Sequence, residues 1–426
     1  MGHAGAQASR RKRSPSIALL IPRASNPRDD REALALEYLY ERTLYSGEFQ
    51  KGFWISIHAS LWEQVLGRDY TKTLAALSKR GVIDINPRYS KGRFPKSYRL
   101  SDAFRRHRTE PYELLRNRQL RSSVRLDADD RIGIALAEMF HSIQISTESG
   151  IRGWNQQIVH RIRSGRFYAT RCEYGRFHSS FTGLSREVRQ RLTTIDGEPL
   201  IEIDVSCCQP LLVGVMATQQ PESDSLGVDL SQTALPIVPL GQPQGNHNTT
   251  PPVPYSICSA LSANLMEYLR LCQSGQLYDR LTELCAGKTI ADFIPHDKWH
   301  PFAKDRKIQR RDTKQAFLVM LFADVPTMQR LPMYQIMQDH FPDVAAFLVR
   351  AKQECYQDLA RNSQRLESQL MVDGAAAELV HRHPDAVFVT IHDAILIPRR
   401  FIDVAADCIR EQFERSGVQP HLKFGL

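Results

Sequence analysis

The chain has 426 residues, of which 42% are hydrophobic and 24% are charged. This composition is typical of a globular protein, and the length predicts two or three domains. The eight cysteines form no Cys-x-x-Cys pair and lack partnered histidine spacing, which argues against a zinc site and against an oxidised, secreted scaffold. No apolar run approaches the length of a membrane span, so we expect a cytoplasmic protein without a membrane partner.

Positive charge is concentrated at the front of the chain. Residues 1–125 contain 25 Lys and Arg against 12 Asp and Glu, a net charge of +13, whereas the whole chain carries +9. The rest of the chain is therefore slightly acidic. A basic front half favours nucleic-acid phosphates as a partner. A basic surface that only aids solubility is the alternative.

Two segments can be separated within this basic region. Residues 1–30, with the run from Arg10 to Arg13, predict a basic disordered arm. Residues 31–101 predict a compact domain with a helix, two further short helices, and a hairpin with a basic tip. Helix, turn, helix and hairpin in this order resemble a winged helix, whose second helix usually enters the major groove while the wing contacts phosphates. A small helical domain that docks protein is the alternative.

The middle of the chain contains two segments without readable chemistry. Residues 102–165 are charged, and we expect a helical connector there. Residues 219–255 are rich in Pro, Gln, Gly, Ser and Asn, and they predict a low-complexity insertion. The insertion interrupts one domain, because the features on its two sides belong together.

Two aspartates follow β-rich runs far apart in the sequence. An alternating strand at 199–206 presents Asp204, and two apolar runs at 386–391 and 394–398 predict a hairpin with Asp393 in its turn. If these strands are neighbours, the two carboxylates converge and can hold two divalent cations, for which Mg²⁺ is suited. An N-cap or turn role explains each aspartate about as well when it is taken alone.

A predicted helix that opens at Lys304 carries cations and then apolar residues on one face. Arg310, Lys314, Leu318 and Phe322 are spaced by four and share that face. Two cations followed by an aromatic ring can hold a triphosphate and stack a base. An amphipathic helix with a basic first half and a buried second half is the alternative.

These elements, in this order, resemble the palm and fingers of family A DNA polymerases and single-subunit phage-type RNA polymerases. The resemblance covers about residues 165–426. It rests on four short motifs: Asp204-Val205-Ser206, the Arg310, Lys314 and Phe322 spacing, Ile391-His392-Asp393, and Tyr174-Gly175-Arg176 with the residues that follow. It implies an α+β fold in which residues 166–426 form a right-hand polymerase palm, with an antiparallel sheet, and helical fingers. The helical stretch 102–165 would then be a reduced thumb, after the winged-helix-like domain.

The resemblance also implies a function and a role for each motif residue. The chain would be a template-directed nucleotidyltransferase, a minimal DNA polymerase without an exonuclease domain, that acts on a DNA primer–template and deoxynucleoside triphosphates. The implied roles are catalysis and binding of two Mg²⁺ ions by Asp204 and Asp393, nucleotide binding by Arg310, Lys314, Phe322 and Gln209, and contact with the primer or template by Arg176 and His392.

Departures from the family pattern leave the product open. Gln209 stands where the DNA enzymes have Glu and the RNA enzymes have Gly, and a side chain there favours deoxynucleotides by blocking a ribose hydroxyl. Leu318 replaces an aromatic residue, and Ala394 replaces the Glu that follows His-Asp in the DNA enzymes. The alternatives are a single-subunit RNA polymerase or primase-like enzyme, or a non-catalytic DNA-binding replication or maintenance protein of a mobile element.

Overall fold

A computed structural model describes residues 18–45, 54–90, 93–105, 108–114, 123–219, 261–289, 293 and 306–425. The insertion predicted at 219–255 lies outside these ranges except for its first residue. Residues 1–17 of the predicted arm also lie outside them.

The α-helices span Asp30–Tyr45, Ala59–Leu66, Tyr70–Lys79, Asp102–Arg105, Arg131–Met139, Gly153–Arg163, Arg186–Arg189, Cys208–Thr218, Ala263–Gln273, Leu277–Leu284, Arg310–Phe322, Val325–Gln329, Pro332–His340, Pro342–Arg350, Asp358–Ser368, Ala377–Arg382 and Ile402–Glu414. A π-helix at Gln369–Ala376 joins two of them. The strands span Ala18–Pro22, Ile55–Ser56, Ile83–Asn86, Ser97–Leu100, Thr109–Glu113, Ser123–Arg125, Ile143–Ile145, Tyr168–Arg171, Phe177–Ser179, Leu192–Thr194, Leu200–Val205, Val389–Ile391, Ala394–Pro398 and Leu422–Gly425.

The chain folds around two hydrophobic cores, and its mixed helices and small, mainly antiparallel sheets agree with the predicted α+β class. The smaller core is built by residues between 19 and 100, and the larger one by residues between 136 and 422. Within the described ranges, no helix has both the length and the apolar character needed to cross a bilayer.

The N-terminal module has the element order of a winged helix. A three-stranded sheet, with Ser97–Leu100 between the other two strands, packs on three helices around Trp62, which is fully buried. The short helix that contains Trp62 begins after His58, whose imidazole accepts a hydrogen bond from the Ser60 amide, and it ends at Gly67 with φ of 80°. Only glycine adopts such backbone dihedrals without strain. The three helices and the hairpin that the sequence predicts are present, and the strand Ile55–Ser56 was not predicted. The winged-helix interpretation and nucleic-acid binding by this module stay predictions.

The disorder predicted for the arm is wrong from residue 18 onward. Ala18–Pro22 forms an antiparallel strand with Thr109–Glu113. Leu19 and Ile21 are buried in the smaller core. The strand that pairs with these residues lies about ninety positions later in the sequence, at Thr109–Glu113. Local composition therefore does not reveal the pairing.

The prediction of a purely helical connector at 102–165 is also wrong. Ser123–Arg125 pairs in parallel with Tyr168–Arg171, and Ile143–Ile145 pairs with Leu192–Thr194. The side chains from Leu136 onward join the larger core, so this stretch is part of the same folded body as the residues that follow it. Three-residue strands with distant partners leave no periodic pattern in the sequence.

The two cores are joined by a buried ion pair. Glu37, in the helix of the N-terminal module, accepts hydrogen bonds from both terminal nitrogens of Arg166 at 2.7 and 2.9 Å. Their side chains are only 7% and 6% exposed. Glu37 also accepts a hydrogen bond from the Leu20 amide at 3.0 Å, and Arg161 pairs with Glu41 one turn away. These contacts attach the N-terminal module to the larger body.

A four-stranded antiparallel sheet lies in the larger core. Its strand order is Val389–Ile391, Ala394–Pro398, Leu200–Val205 and Leu422–Gly425. The first two strands form the predicted hairpin, and the second is hydrogen-bonded directly to the strand that carries Asp204. The condition for convergence of the two aspartates, that their strands are neighbours, is therefore met.

We predict that Glu37→Ala lowers the free energy of unfolding by about 3–5 kcal/mol, because it removes the carboxylate that accepts two hydrogen bonds from the buried Arg166 guanidinium. Urea unfolding followed by circular dichroism measures this change. Glu267→Ala, which breaks an exposed pair with Arg270, should cost less than about 1 kcal/mol. Equal effects of the two substitutions would contradict the proposed role of the buried pair.

Candidate active site

The two predicted catalytic aspartates lie side by side at one end of the four-stranded sheet. Asp204, near the end of the Leu200–Val205 strand, pairs with Ala394 on the neighbouring strand. Asp393 is the second residue of the turn just before Ala394, and its carbonyl oxygen accepts a hydrogen bond from the Val205 amide at 3.0 Å. Neighbouring strands lie about 5 Å apart, so the two carboxylates share one edge of the sheet.

Both aspartates are next to strained backbone. Cys207 has φ of 56° at the start of the Cys208–Thr218 helix, and His392 has φ of 52° in the hairpin turn. They are two of four non-glycine residues with positive φ in the described part of the chain. This conformation costs about 1–2 kcal/mol for such residues. Strain of this kind clusters at functional sites, where the surrounding structure holds it in place.

The Asp393 carboxyl lies in an environment with excess negative charge. Burial is the main reason that its pKa rises to about 7, the charges of Asp204 and Glu367 raise it further, and Lys314 opposes them. A bound divalent cation relieves the same repulsion. The described residues contain no group of three or more His, Cys, Asp and Glu side chains placed to hold a metal. Mg²⁺ commonly binds one or two carboxylates, waters and substrate phosphates, so this carboxylate pair fits it.

The buried carboxylate of Glu367 organises the surroundings of the aspartates. Its side chain is 2% exposed and accepts hydrogen bonds from Arg176, at 2.8 Å from Nε and 2.7 Å from Nη2. The Gln209 side-chain amide donates a further bond to it. Gly175, with φ of 77°, lies close to the Asp358–Ser368 helix that contains Glu367. The Gly175 carbonyl accepts a hydrogen bond from the Ser368 hydroxyl. Arg176 and Gln209 therefore lie at the site, both bound to Glu367.

Two buried polar atoms of the site lack a hydrogen-bond partner among the described residues: Oε1 of Gln209 and Nδ1 of His392. The His392 ring meets the His178 ring edge to face, with 5.8 Å between centroids. Burial, followed by the charge of Arg176, lowers the pKa of His392 to about 4, so this imidazole is neutral at pH 7. Unsatisfied buried atoms of this kind mark places where a ligand or a water can bond.

The helix predicted to open at Lys304 begins later, at Arg310, and the earlier start is wrong. A capping box fixes this start, because the Asp312 carboxylate accepts a hydrogen bond from the Gln309 amide at 2.8 Å. Residues 306–309 are not helical, and 304–305 lie outside the described ranges.

Three predicted nucleotide-binding residues lie on this helix in different surroundings. Arg310 places its Nε 2.9 Å from a carboxylate oxygen of Asp279. Lys314 is exposed, and in the described ranges no carboxylate lies within ion-pair distance of it. The positive charge of Lys314 lowers the pKa of Asp393, against the larger effect of burial. Phe322 is 45% exposed and lines, with Lys314, an open groove of about 600 Å³.

The far end of the same helix is fixed by a buried lysine. Lys352 is 2% exposed, and its Nζ donates to the carbonyl oxygens of Met320 at 3.1 Å and Ala323 at 2.7 Å. Burial lowers the pKa of this lysine to about 8. A cation at the last carbonyls of a helix satisfies groups that have no partner within the helix. The buried Lys352 side chain thus fixes the backbone on both sides of Phe322, at one end of the groove.

Sequence reasoning missed three charged or polar residues of the site. Glu367 lies near the end of an amphipathic helix, where its sequence carries no signal. Lys423 lies directly opposite Asp204 on the last strand, and only the sheet register reveals it. His178 did have a signal, because it directly follows Tyr174-Gly175-Arg176 and Phe177 in one of the four motifs that resemble the polymerase families.

Comparison with known proteins finds distant structural neighbours among the solved structures. No family model and no curated protein matches the chain. The chain is similar to the POL domain of Pol1 from M. smegmatis, solved in complex with DNA primer-template and dNTP, with a TM-score of 0.35 and 10% identity. The match covers 63% of this chain and 50% of that one, so this chain spans about half of that domain's length. A likeness this distant carries no argument about function, which depends on the site itself.

We predict that the contribution of the Asp393 carboxyl to the melting temperature in EDTA falls as the pH rises from about 5 to about 8, whereas the lowered pKa of His392 acts in the opposite direction. A carboxyl with a raised pKa stabilises the folded state below its unfolded pKa, near 4, and this contribution is lost as the pH passes about 7. Asp393→Asn should flatten this part of the profile. Glu41, with a pKa of about 7, titrates in the same window. The measured quantity is therefore the difference between the two proteins.

Mg²⁺ provides the second arm of this measurement. At about pH 8 it should raise the melting temperature of the wild type and have less effect on Asp393→Asn, because the variant lacks one carboxylate of the pair. Superimposable profiles of the two proteins, with and without Mg²⁺, would show that Asp393 is not the titrating group.

Proposed function

We propose that the chain is a template-directed nucleotidyltransferase, a minimal DNA polymerase of the family A type. The observation that carries the proposal is the pair of carboxylates, Asp204 and Asp393, at one sheet edge. The positive charge of Lys314, on the Arg310–Phe322 helix, opposes the rise in the pKa of Asp393. Transfer of a nucleotide needs carboxylates for metal ions and cations for a triphosphate at the same place.

Asp204 and Asp393 would hold two Mg²⁺ ions. When bound, such ions activate the attacking hydroxyl and neutralise the leaving pyrophosphate. The raised pKa of Asp393 supports this role, because a carboxylate pair that repels itself gains most from a bound cation. Hydrogen bonds of the strand pairing, and the strained turn at His392, hold both carboxylates in place without the ions.

The helix that begins at Arg310 would bind the triphosphate and the base. Lys314 has no competing carboxylate among the described residues, so its charge is available to phosphate. Arg310 is 40% exposed in its pair with Asp279, and an exposed pair of this kind is weak enough to exchange for a phosphate. Phe322 would then stack on the base, from the rim of the groove that it shares with Lys314.

Gln209 and His392 would contact the sugar and the primer end. Each has a buried polar atom that finds no partner among the described residues. Glu367 holds the Gln209 side chain from the opposite side, so this side chain would present a fixed surface to an incoming sugar. Arg176, bound by the same carboxylate, would support the primer end as a positioning residue.

We predict that Asp204→Asn and Asp393→Asn each abolish nucleotide incorporation, because each removes one of two carboxylates proposed to hold the same ions. Primer extension with Mg²⁺ and the four deoxynucleotides measures this loss. Asp385→Asn is the matched control, since this aspartate is exposed and lies just before the same hairpin. Full activity of either site variant would overturn the proposal. A wild type that never extends a primer would favour a non-catalytic DNA-binding protein.

We predict that Gln209→Ala raises the use of ribonucleotides relative to deoxynucleotides by roughly 10- to 100-fold, the amount that one such contact supplies. The ratio of ATP to dATP incorporation on one primer measures this change. Alanine keeps a helix-forming residue at the helix start and removes the side chain beyond Cβ, while Arg176 still donates two hydrogen bonds to Glu367. An unchanged ratio would assign sugar selection to another residue, and a wild type that prefers ATP would favour an RNA polymerase.

A further inference from the structure

A groove of about 800 Å³ lies in the N-terminal module, apart from the aspartates. It runs between the Tyr70–Lys79 helix and the hairpin that joins Ile83–Asn86 to Ser97–Leu100. Leu74, Ala75 and Ile85 contribute to its apolar lining. A concave apolar surface of this size on a folded module indicates a binding site.

Two aromatic rings stand exposed at the rim of this groove. Tyr89 is 64% and Phe94 is 51% exposed. The backbone is held at Phe94 and at Ser90, the residue after Tyr89, because the Ser90 amide donates to the Phe94 carbonyl at 3.0 Å and the Phe94 amide donates back to the Ser90 carbonyl at 3.1 Å. Exposed rings held in place by the backbone can stack on a flat ligand with little loss of conformational freedom.

Unpaired positive charge surrounds the two rings. Arg88, Arg93 and Lys96 are exposed, and no carboxylate in the described part of the chain lies within ion-pair distance of them. Lys96 lies 5.7 Å from the centre of the Tyr89 ring. The ligand that fits this surface therefore combines flat faces with repeated negative charge.

We propose that this groove binds single-stranded nucleic acid, with bases stacked on Tyr89 and Phe94 and phosphates paired with Arg93 and Lys96. Alternating aromatic and basic side chains are how proteins hold single strands without reading their sequence. The site goes beyond the proposed catalytic function and does not depend on it. The helix that a duplex reader would insert, Tyr70–Lys79, contains no Arg, Asn or Gln, and Lys72, one of its two lysines, is paired with Asp69 at 3.1 Å.

An anisotropy titration of the full chain in EDTA, without nucleotides, tests the proposal. The probe is a labelled oligothymidylate of about 20 nucleotides, with an oligouridylate of the same length and a blunt DNA hairpin as further arms. Tyr89→Ala with Phe94→Ala should weaken binding of both single strands by roughly 10- to 100-fold and leave the duplex unaffected. Tyr356→Ala, which removes a ring that is 42% exposed elsewhere, should have no effect.

Further variants separate stacking from charge and from simple apolar contact. Arg93→Gln with Lys96→Gln should reduce the salt slope for the single strand by about 1.4, since each phosphate contact contributes about 0.7, whereas the alanine pair should leave the slope unchanged. Tyr89→Phe with Phe94→Tyr should restore binding, and a leucine pair should not.

Three results would overturn the proposal. The alanine pair could bind oligothymidylate as tightly as the wild type. The leucine pair could bind as well as the wild type, which would indicate an apolar peptide ligand. The duplex could lose as much affinity as the single strand, which would indicate a duplex-binding wing. The assay contains neither metal nor nucleotide, so absence of primer extension leaves its outcome unchanged, and circular dichroism checks that each variant is folded.

Discussion

The arrangement of the site depends on one buried charge, the carboxylate of Glu367. A carboxylate with 2% exposure is stable only when the protein supplies donors for it. Arg176 and Gln209 supply them from two other segments, so the loop at 174–176, the start of the Cys208–Thr218 helix and the end of the Asp358–Ser368 helix must meet. The meeting point lies beside Asp204 and Asp393, and an unpaired Glu367 would also raise the pKa of Asp393 further.

Pairing of Glu367 with Arg176 leaves two carboxylates without such a partner among the described residues. Asp393 and Asp204 lie together at the sheet edge, and the charges of Asp204 and Glu367 both raise the pKa of Asp393. The strained turn at His392 and the strained start of the helix at Cys207 flank this pair. The folded protein thus holds two repelling carboxylates together through its backbone. A cation is the simplest species that turns this unfavourable arrangement into a favourable one.

The sequence predicts the aspartates and most local elements, because these leave local patterns. Alternating apolar residues mark the strand before Asp204, and a polar pair between two apolar runs marks the turn at Asp393. Glu367 leaves no such pattern, since a glutamate on an amphipathic helix is ordinarily a solvent-exposed residue. The strand at 18–22 leaves no local pattern either, because the strand that pairs with it is distant in the sequence. What local reasoning loses is the set of contacts that depend on register and packing.

The connection between the two cores limits how the N-terminal module can act. Glu37 accepts hydrogen bonds from both the Leu20 amide and the Arg166 guanidinium, so the first strand, the first helix and the larger body share one buried carboxylate. Separating them would expose or orphan a charge on each side, which is strongly unfavourable. The buried ion pair therefore favours a lasting attachment of the N-terminal module, which carries the groove with Tyr89 and Phe94, over a flexible tether.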